Sequence, residues 1–114
     1  MFVEHWNGLS DEDRKKQYNK ISQKYKNHIP VVVLPDENIE IDKNKYLVNN
    51  DITVGQFMFT IRKRVKLKKE EALFIVTDSG VTPPNSELMS VIYTNNKSSC
   101  GFLTLYIKKE AVFG

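Results

Sequence analysis

The chain has 114 residues, 40% of them apolar and 27% charged, with a formal net charge of +3, which describes one domain with room for its own core. So mild a charge suits an anionic surface or an acidic peptide but does not call for nucleic acid. A single cysteine, Cys100, excludes an internal disulfide and points to a reducing compartment. No apolar run nears the roughly 20 residues that span a bilayer, and MFVEHWNGL reads neither as a signal peptide nor as a myristoylation site, so a cytoplasmic protein is expected.

In chain order, Phe2, Val3 and Trp6 fit one apolar helical turn. Ser10 is a good N-cap, and Asp11, Glu12 and Asp13 favour the first turn of a helix running to about Lys26. Its apolar stripe, Tyr18, Ile21 and Tyr25, is thin, so the helix should lie on a surface. Pro30 ends it, and Val31 to Leu34 reads as a strand buried on both faces. A turn follows at Pro35–Asn38, with Ile39 and Ile41 as an extension of a hairpin arm.

The central stretch, Lys43 to Arg64, is a strand, a turn and a helix. Lys45 to Val48 has strand composition, and Asn49, Asn50 and Asp51 are turn formers. Thr53 and Gln56 have capping-box spacing. Val54, Phe57, Met58, Ile61 and Val65 recur on one helical face, and Arg62, Lys63 and Arg64 lie where the helix dipole favours cations.

Lys66, Lys68 and Lys69 keep the next connection wet, with Leu67 tucked in. Ala72 to Thr77 reads as a second buried strand, and Asp78-Ser79-Gly80 as a turn. Pro83-Pro84 bars further sheet. Ser86 is placed to cap a short helix, Glu87 to Tyr93, with Leu88, Val91 and Ile92 inward. A loop at Thr94–Ser99 leads to a last strand, Phe102 to Ile107. There Leu103, Leu105 and Ile107 face one side and Phe102, Thr104 and Tyr106 the other. Lys108 to Gly114 reads as a polar tail. The order implies an α+β fold, a ubiquitin-like β-grasp with an additional N-terminal helix or helices. One domain over 1–114 divides into a helical extension (1–27), a β-grasp core (28–107) and a C-terminal tail (108–114).

The chain resembles the ubiquitin-like autophagy modifiers, the GABARAP-like group, from about Tyr18 to Gly114. The resemblance is carried by KYKNHIPVVV (Lys24 to Val33), KNKYLV (Lys43 to Val48), TVGQFMFTIRKR (Thr53 to Arg64), EEALF (Glu70 to Phe74), Pro83-Pro84 and Phe113-Gly114. It implies conjugation through Gly114 to phosphatidylethanolamine and a role in autophagosome formation. The implied location is the cytoplasm, and the autophagosome membrane once lipidated. Implied partners are the activating and conjugating enzymes of that system, a processing and delipidating cysteine protease, phosphatidylethanolamine membranes, and proteins with an acid-flanked aromatic-x-x-aliphatic motif. His28, Asn49, Thr60 and Asn19 depart from the family's usual Arg, Pro, Leu and acidic residue.

A terminal glycine has no Cβ, so its carboxylate can thread a narrow enzyme channel. The motif peptide would add as a strand to the edge of Lys45 to Val48. By resemblance, a first hollow of Ile21, Pro30, Val32, Lys45, Leu47 and Phe102 takes the aromatic residue. A second hollow of Tyr46, Val48, Ile52, Phe57, Thr60 and Arg64 takes the aliphatic one. Lys43, Lys45 and Arg64 would meet the acids. Core packing alone accounts for part of Phe57 and Val32, and fits Ile21 and Phe102 less well.

The basic residues Arg62 to Lys69 read as a solvated face or a lipid-headgroup contact. Cys100, His5 and His28 lack metal spacing, and Gly55 sits inside a helix rather than in a phosphate cradle. No catalysis, cofactor, metal or nucleic-acid partner is expected. Two other functions compete: a non-conjugated β-grasp protein-binding module, and an RNA-binding domain with steep salt dependence.

Overall fold

The computed structural model describes residues 2–111. They form α1 (Phe2–Gly8), α2 (Asp11–Lys24), β1 (His28–Pro35), β2 (Lys45–Asn49), α3 (Val54–Arg62), β3 (Glu71–Thr77), α4 (Met89–Asn96) and β4 (Leu103–Ala111). The strands make one mixed sheet in the order β2-β1-β4-β3. β1 runs antiparallel to β2 and parallel to β4, and β3 runs antiparallel to β4. This is the expected β-grasp with helices added at the N-terminus.

Side-chain alternation sorts the sheet into two faces. Ile29, Val31 and Val33 of β1 and Leu103, Leu105 and Ile107 of β4 join Val54, Phe57, Met58 and Ile61 of α3 in the larger core. On the other face Val32, Leu34 and Phe102 pack with Trp6 and Cys100, with Tyr18 and Ile21 partly buried against them. Helices over both faces explain why Val31 to Leu34 are all buried.

Two of the three expected caps form, those of Ser10 and Thr53, and that of Ser86 does not. Asp13 N–H donates to Ser10 Oγ at 3.1 Å. Thr53 N–H donates to Gln56 Oε1 at 2.8 Å, while Gln56 N–H donates to Thr53 Oγ1 at 3.2 Å. The α2 helix stops at Lys24, two residues before the expected end.

Other elements depart from the sequence expectation. Ile39 is no hairpin arm: it is buried in the larger core, and Ile41 bridges Val65. β3 is an edge strand, with Leu73, Ile75 and Thr77 buried and the residues between them half-buried. The α4 helix begins at Met89 after Leu88, with no side-chain cap. Leu88 and Val91 are exposed while Met89 and Ile92 turn inward. Met89 N–H donates to Ile52 O at 2.9 Å, and this bond sets the rotation of the helix one residue from the expected stripe.

β4 continues through Lys108 to Ala111, residues assigned above to the polar tail. Charge disguised the alternation there: Lys109 turns toward Glu71 and pairs with it at 3.3 Å, both side chains mostly covered. The rest of the expected tail, Val112 to Gly114, lies outside the described residues.

Candidate functional site

Among the described residues β2 bonds to β1 on one side only, which leaves its other edge for backbone pairing. Alternation sends its side chains to opposite faces. Tyr46 and Val48 point into the α3 side, while Lys45 and Leu47 lie on the α2 side, where Leu47 is 40% exposed. One short strand thus gives side chains to both of the expected hollows, one pair on each face.

The residues expected to line the first hollow lie toward α2. Ile21 is half-buried against the smaller core, Pro30 is buried and Leu47 is open. Val32 (0% exposed) and Phe102 (1%) form its floor, beneath any contact surface. Phe102 is therefore a core residue, against the expectation that packing alone fits it poorly. Its ring meets Trp6 edge-on at 5.1 Å and Tyr18 at 6.2 Å, so the short N-terminal helix supplies the missing cover.

Lys45 lies across this hollow. Its Nζ donates to Gln17 Oε1 at 2.6 Å and sits 5.2 Å from the Trp6 ring and 5.9 Å from the Phe2 ring. Burial holds its pKa below the usual lysine value. Ile21 and Pro30 also border a groove of ≈ 320 Å³ that passes Tyr25 and His28 to Tyr93.

The residues expected to line the second hollow lie toward α3. The Tyr46 and Phe57 rings meet edge-on at 5.6 Å, and the Tyr46 hydroxyl donates to Lys43 O at 2.6 Å. Burial pushes that hydroxyl up to about 12; Arg64 opposes the shift and Asp42 adds to it. Phe57, at 1% exposed, is floor, and Tyr46 and Val48 are nearly covered. Ile52, Thr60 and Arg64 are the parts that reach solvent. Thr60 Oγ1 donates to Gln56 O at 3.4 Å, so its hydroxyl is turned back on its own helix.

The three expected rim cations differ in state. Arg64 pairs with Asp42 at 3.4 Å, Lys45 is held by Gln17, and Lys43 is exposed with its Nζ 5.3 Å from the Tyr46 ring. Gln17 and Asp42 were not picked out from the sequence. They lie 28 and 22 residues from the cations they hold, and no local pattern marks such pairs.

Elsewhere, Cys100 is buried with its Sγ 2.9 Å from Ser98 Oγ. Among the described residues no group of three or more His, Cys, Asp or Glu is placed to hold a metal, and no helix is long and apolar enough to cross a membrane. Gly114 lies outside the described residues.

With this geometry in hand, comparison with known proteins is specific. The family described as autophagy protein Atg8, ubiquitin like, matches residues 13–114. The chain is 48% identical over 106 residues to autophagy-related protein 8e of Arabidopsis thaliana, covering 90% of this chain and 86% of that protein. It is 46% identical over 109 residues to autophagy-related protein 8 of Schizosaccharomyces pombe, covering 93% and 89%. The crystal structure of Trypanosoma brucei ATG8 superposes with a TM-score of 0.81 at 35% identity, covering 94% of each chain. Plasmodium falciparum Atg8, solved in complex with a Plasmodium falciparum Atg3 peptide, superposes with a TM-score of 0.79 at 25% identity, covering 94% and 96%.

Proposed function

The chain belongs to the Atg8 ubiquitin-like family of autophagy proteins, and from that premise we propose that it is conjugated through Gly114 to phosphatidylethanolamine and captures aromatic-x-x-aliphatic motif proteins on the β2 edge. The observation that carries the reading is the open edge of β2, with partly exposed apolar side chains on each face of the sheet beside it and cations around it. A partner segment adds as a fifth strand, and its alternate side chains enter the two hollows. The aromatic side chain displaces Lys45 from above the first hollow. An acidic residue beside the motif then replaces Gln17 as the partner of the ammonium, exchanging a neutral acceptor for a charged one. Arg64 meets the second acid in competition with Asp42, and Lys43 meets it directly.

The Plasmodium structure with its Atg3 peptide supports peptide capture by this fold and a conjugating enzyme as one partner. The other proposed partners are an activating enzyme, a delipidating cysteine protease and the membrane itself, with cytoplasmic and autophagosome-bound pools. Conjugation needs an acyl carbon that enzymes can reach. In the proposed conjugation that carbon belongs to Gly114, three residues along the sequence from the last described strand residue.

The test is intact mass after incubation with activating enzyme, conjugating enzyme, ATP and phosphatidylethanolamine liposomes. The mass of one lipid less one water should be added to the full chain and none to a chain lacking Gly114, while both bind a motif peptide equally. Normal lipidation of the shortened chain would overturn the conjugation site.

A further inference from the structure

As far as it is described, β4 runs to Ala111 between two regions of opposite charge. On one side β4 pairs with β3, where Ala111 lies opposite Glu71. The turn before Glu71 carries Lys66, Lys68 and Lys69, all exposed. This turn is fixed to the strand: Glu71 N–H donates to Lys68 O at 3.0 Å, and Lys68 N–H donates to Glu71 Oε1 at 2.8 Å. On the other side β4 runs beside β1, whose end continues into exposed Asp36 and Glu37; Asp36 N–H donates to Ile107 O at 3.1 Å. The two acids nearest the lysine turn differ. Glu71 is held by Lys109 and by the Lys68 N–H, whereas Glu70 is exposed. The contact of Lys66 with Glu40 is long, 3.9 Å, and both side chains are more than 80% exposed, so it is easily exchanged.

From this asymmetry we infer that the conjugated domain leans onto the bilayer through the Lys66–Lys69 turn, which takes anionic lipid headgroups, while the Asp36–Glu37 turn is lifted away. The inference rests on the conjugation reading above. Three residues separate Ala111 from the conjugated carbonyl, and three extended residues reach at most about 10 Å. That is close to the Debye length of about 8 Å at physiological salt. The strand end is thus tethered where the lysines feel an anionic surface and the two acids are repelled by it. Each lysine near such a surface contributes roughly fivefold in binding. A solvated patch on a free protein would gain little; the short tether supplies the local concentration.

Hydrogen exchange on the lipid-linked protein tests this. Two kinds of vesicle are compared, phosphatidylethanolamine with phosphatidylcholine, and the same with 30% phosphatidylserine. The protein is linked enzymatically in one arm. In a second arm a Gly114→Cys, Cys100→Ser chain is coupled chemically to maleimide-bearing lipid, which needs no conjugating enzyme. On phosphatidylserine vesicles, exchange over residues 65–70 should slow at least threefold. Residues 36–38 should be unchanged, and the slowing should vanish in 0.5 M salt or in the Lys66→Gln, Lys68→Gln, Lys69→Gln variant. Equal exchange on both vesicles in the chemically coupled arm, or slowing at 36–38 instead, overturns the inference. So does slowing at 65–70 caused only by the soluble conjugating enzyme, which would make the turn a protein contact. Failure of enzymatic linkage with success in the coupled arm overturns the conjugation reading alone.

Discussion

The two faces of the sheet are built differently. On the α3 side a continuous core runs from Ile29 to Ile107, and its α3 residues, Val54, Phe57, Met58 and Ile61, come from one regular helical stripe. On the α1/α2 side the buried set is small: Trp6, Val32, Leu34, Cys100 and Phe102, roofed by side chains that stay partly open. No residue of α2 is buried. The lesson is a division of labour. The α3 face supplies the free energy that holds the fold. The α1/α2 face is incompletely covered, and its remaining apolar surface is the part available to a partner. Lys45 fills the gap meanwhile by resting over Trp6 and Phe2 and bonding to Gln17.

The strongest way to break this contrast is to make a cavity on the α3 face. Ile61 is fully buried. Ile61→Ala should cost about 2–5 kcal/mol of stability, read by urea unfolding. At temperatures where the variant remains folded, its affinity for a motif peptide should be nearly unchanged. A loss of affinity equal to the loss of stability would mean that the two faces are not separable.

A smaller effect is expected on the other face from Gly101, which has a φ of +100 and a backbone carbonyl bonded by the Tyr93 hydroxyl at 2.7 Å. A Cβ there would lie 2.5 Å from the Tyr18 ring, which itself packs on Phe102. Gly101→Ala should cost about 1–3 kcal/mol. Unlike the Ile61 variant, it should also weaken the motif peptide, because Tyr18 and Ile21 must shift together. Calorimetry on the folded variant checks this.

Lys45→Glu keeps the fold and reverses the charge over the first hollow. An acidic motif peptide should lose about 1 kcal/mol or more, and the loss should shrink as salt rises. An equal loss at both salt concentrations would mean that Lys45 acts by packing on Trp6 and Phe2.

The smallest change concerns the second hollow. Thr60 is exposed and its hydroxyl is already bonded to Gln56 O. Thr60→Leu therefore strands no polar group and adds apolar wall, each buried CH₂ contributing about 0.8 kcal/mol. Affinity for an aliphatic-ended peptide should rise by roughly two- to fivefold, and the gain should disappear when the aliphatic residue is replaced by Ala. A gain that survives the replacement would place the effect outside the second hollow.

Legibility in the sequence follows the same contrast. Val54, Phe57, Met58 and Ile61 repeat with helical spacing, although Val65, expected on the same stripe, lies beyond the end of α3 and bridges Ile41. The α3 face could therefore be read directly, as could the N-caps of α2 and α3. The smaller core could not. Trp6, Val32 and Phe102 come from three distant segments, and Phe102 looks uncovered until α1 is folded over it. Where the rotation of an element is set by a tertiary bond, as at Met89 and Ile52, the local pattern points one residue astray. Lys108 to Ala111 look like a polar tail in the sequence for a related reason: the ion pair that turns Lys109 inward joins it to a residue 38 positions away. The hollows were reached by family resemblance. Folding shows which of their residues reach the surface: Ile21, Leu47, Ile52 and Thr60 do, whereas Val32, Phe57 and Phe102 lie beneath.

The most direct test of this division is an NMR titration of the isotope-labelled chain with an acid-flanked aromatic-x-x-aliphatic peptide. The account predicts large amide shifts along Lys45 to Asn49 and smaller ones at Gln17 and Ile21, where Lys45 is released. Amides of Leu73 to Ile75, on the opposite edge of the sheet, should stay in place. Saturable shifts confined to that opposite edge, with β2 silent, would contradict it.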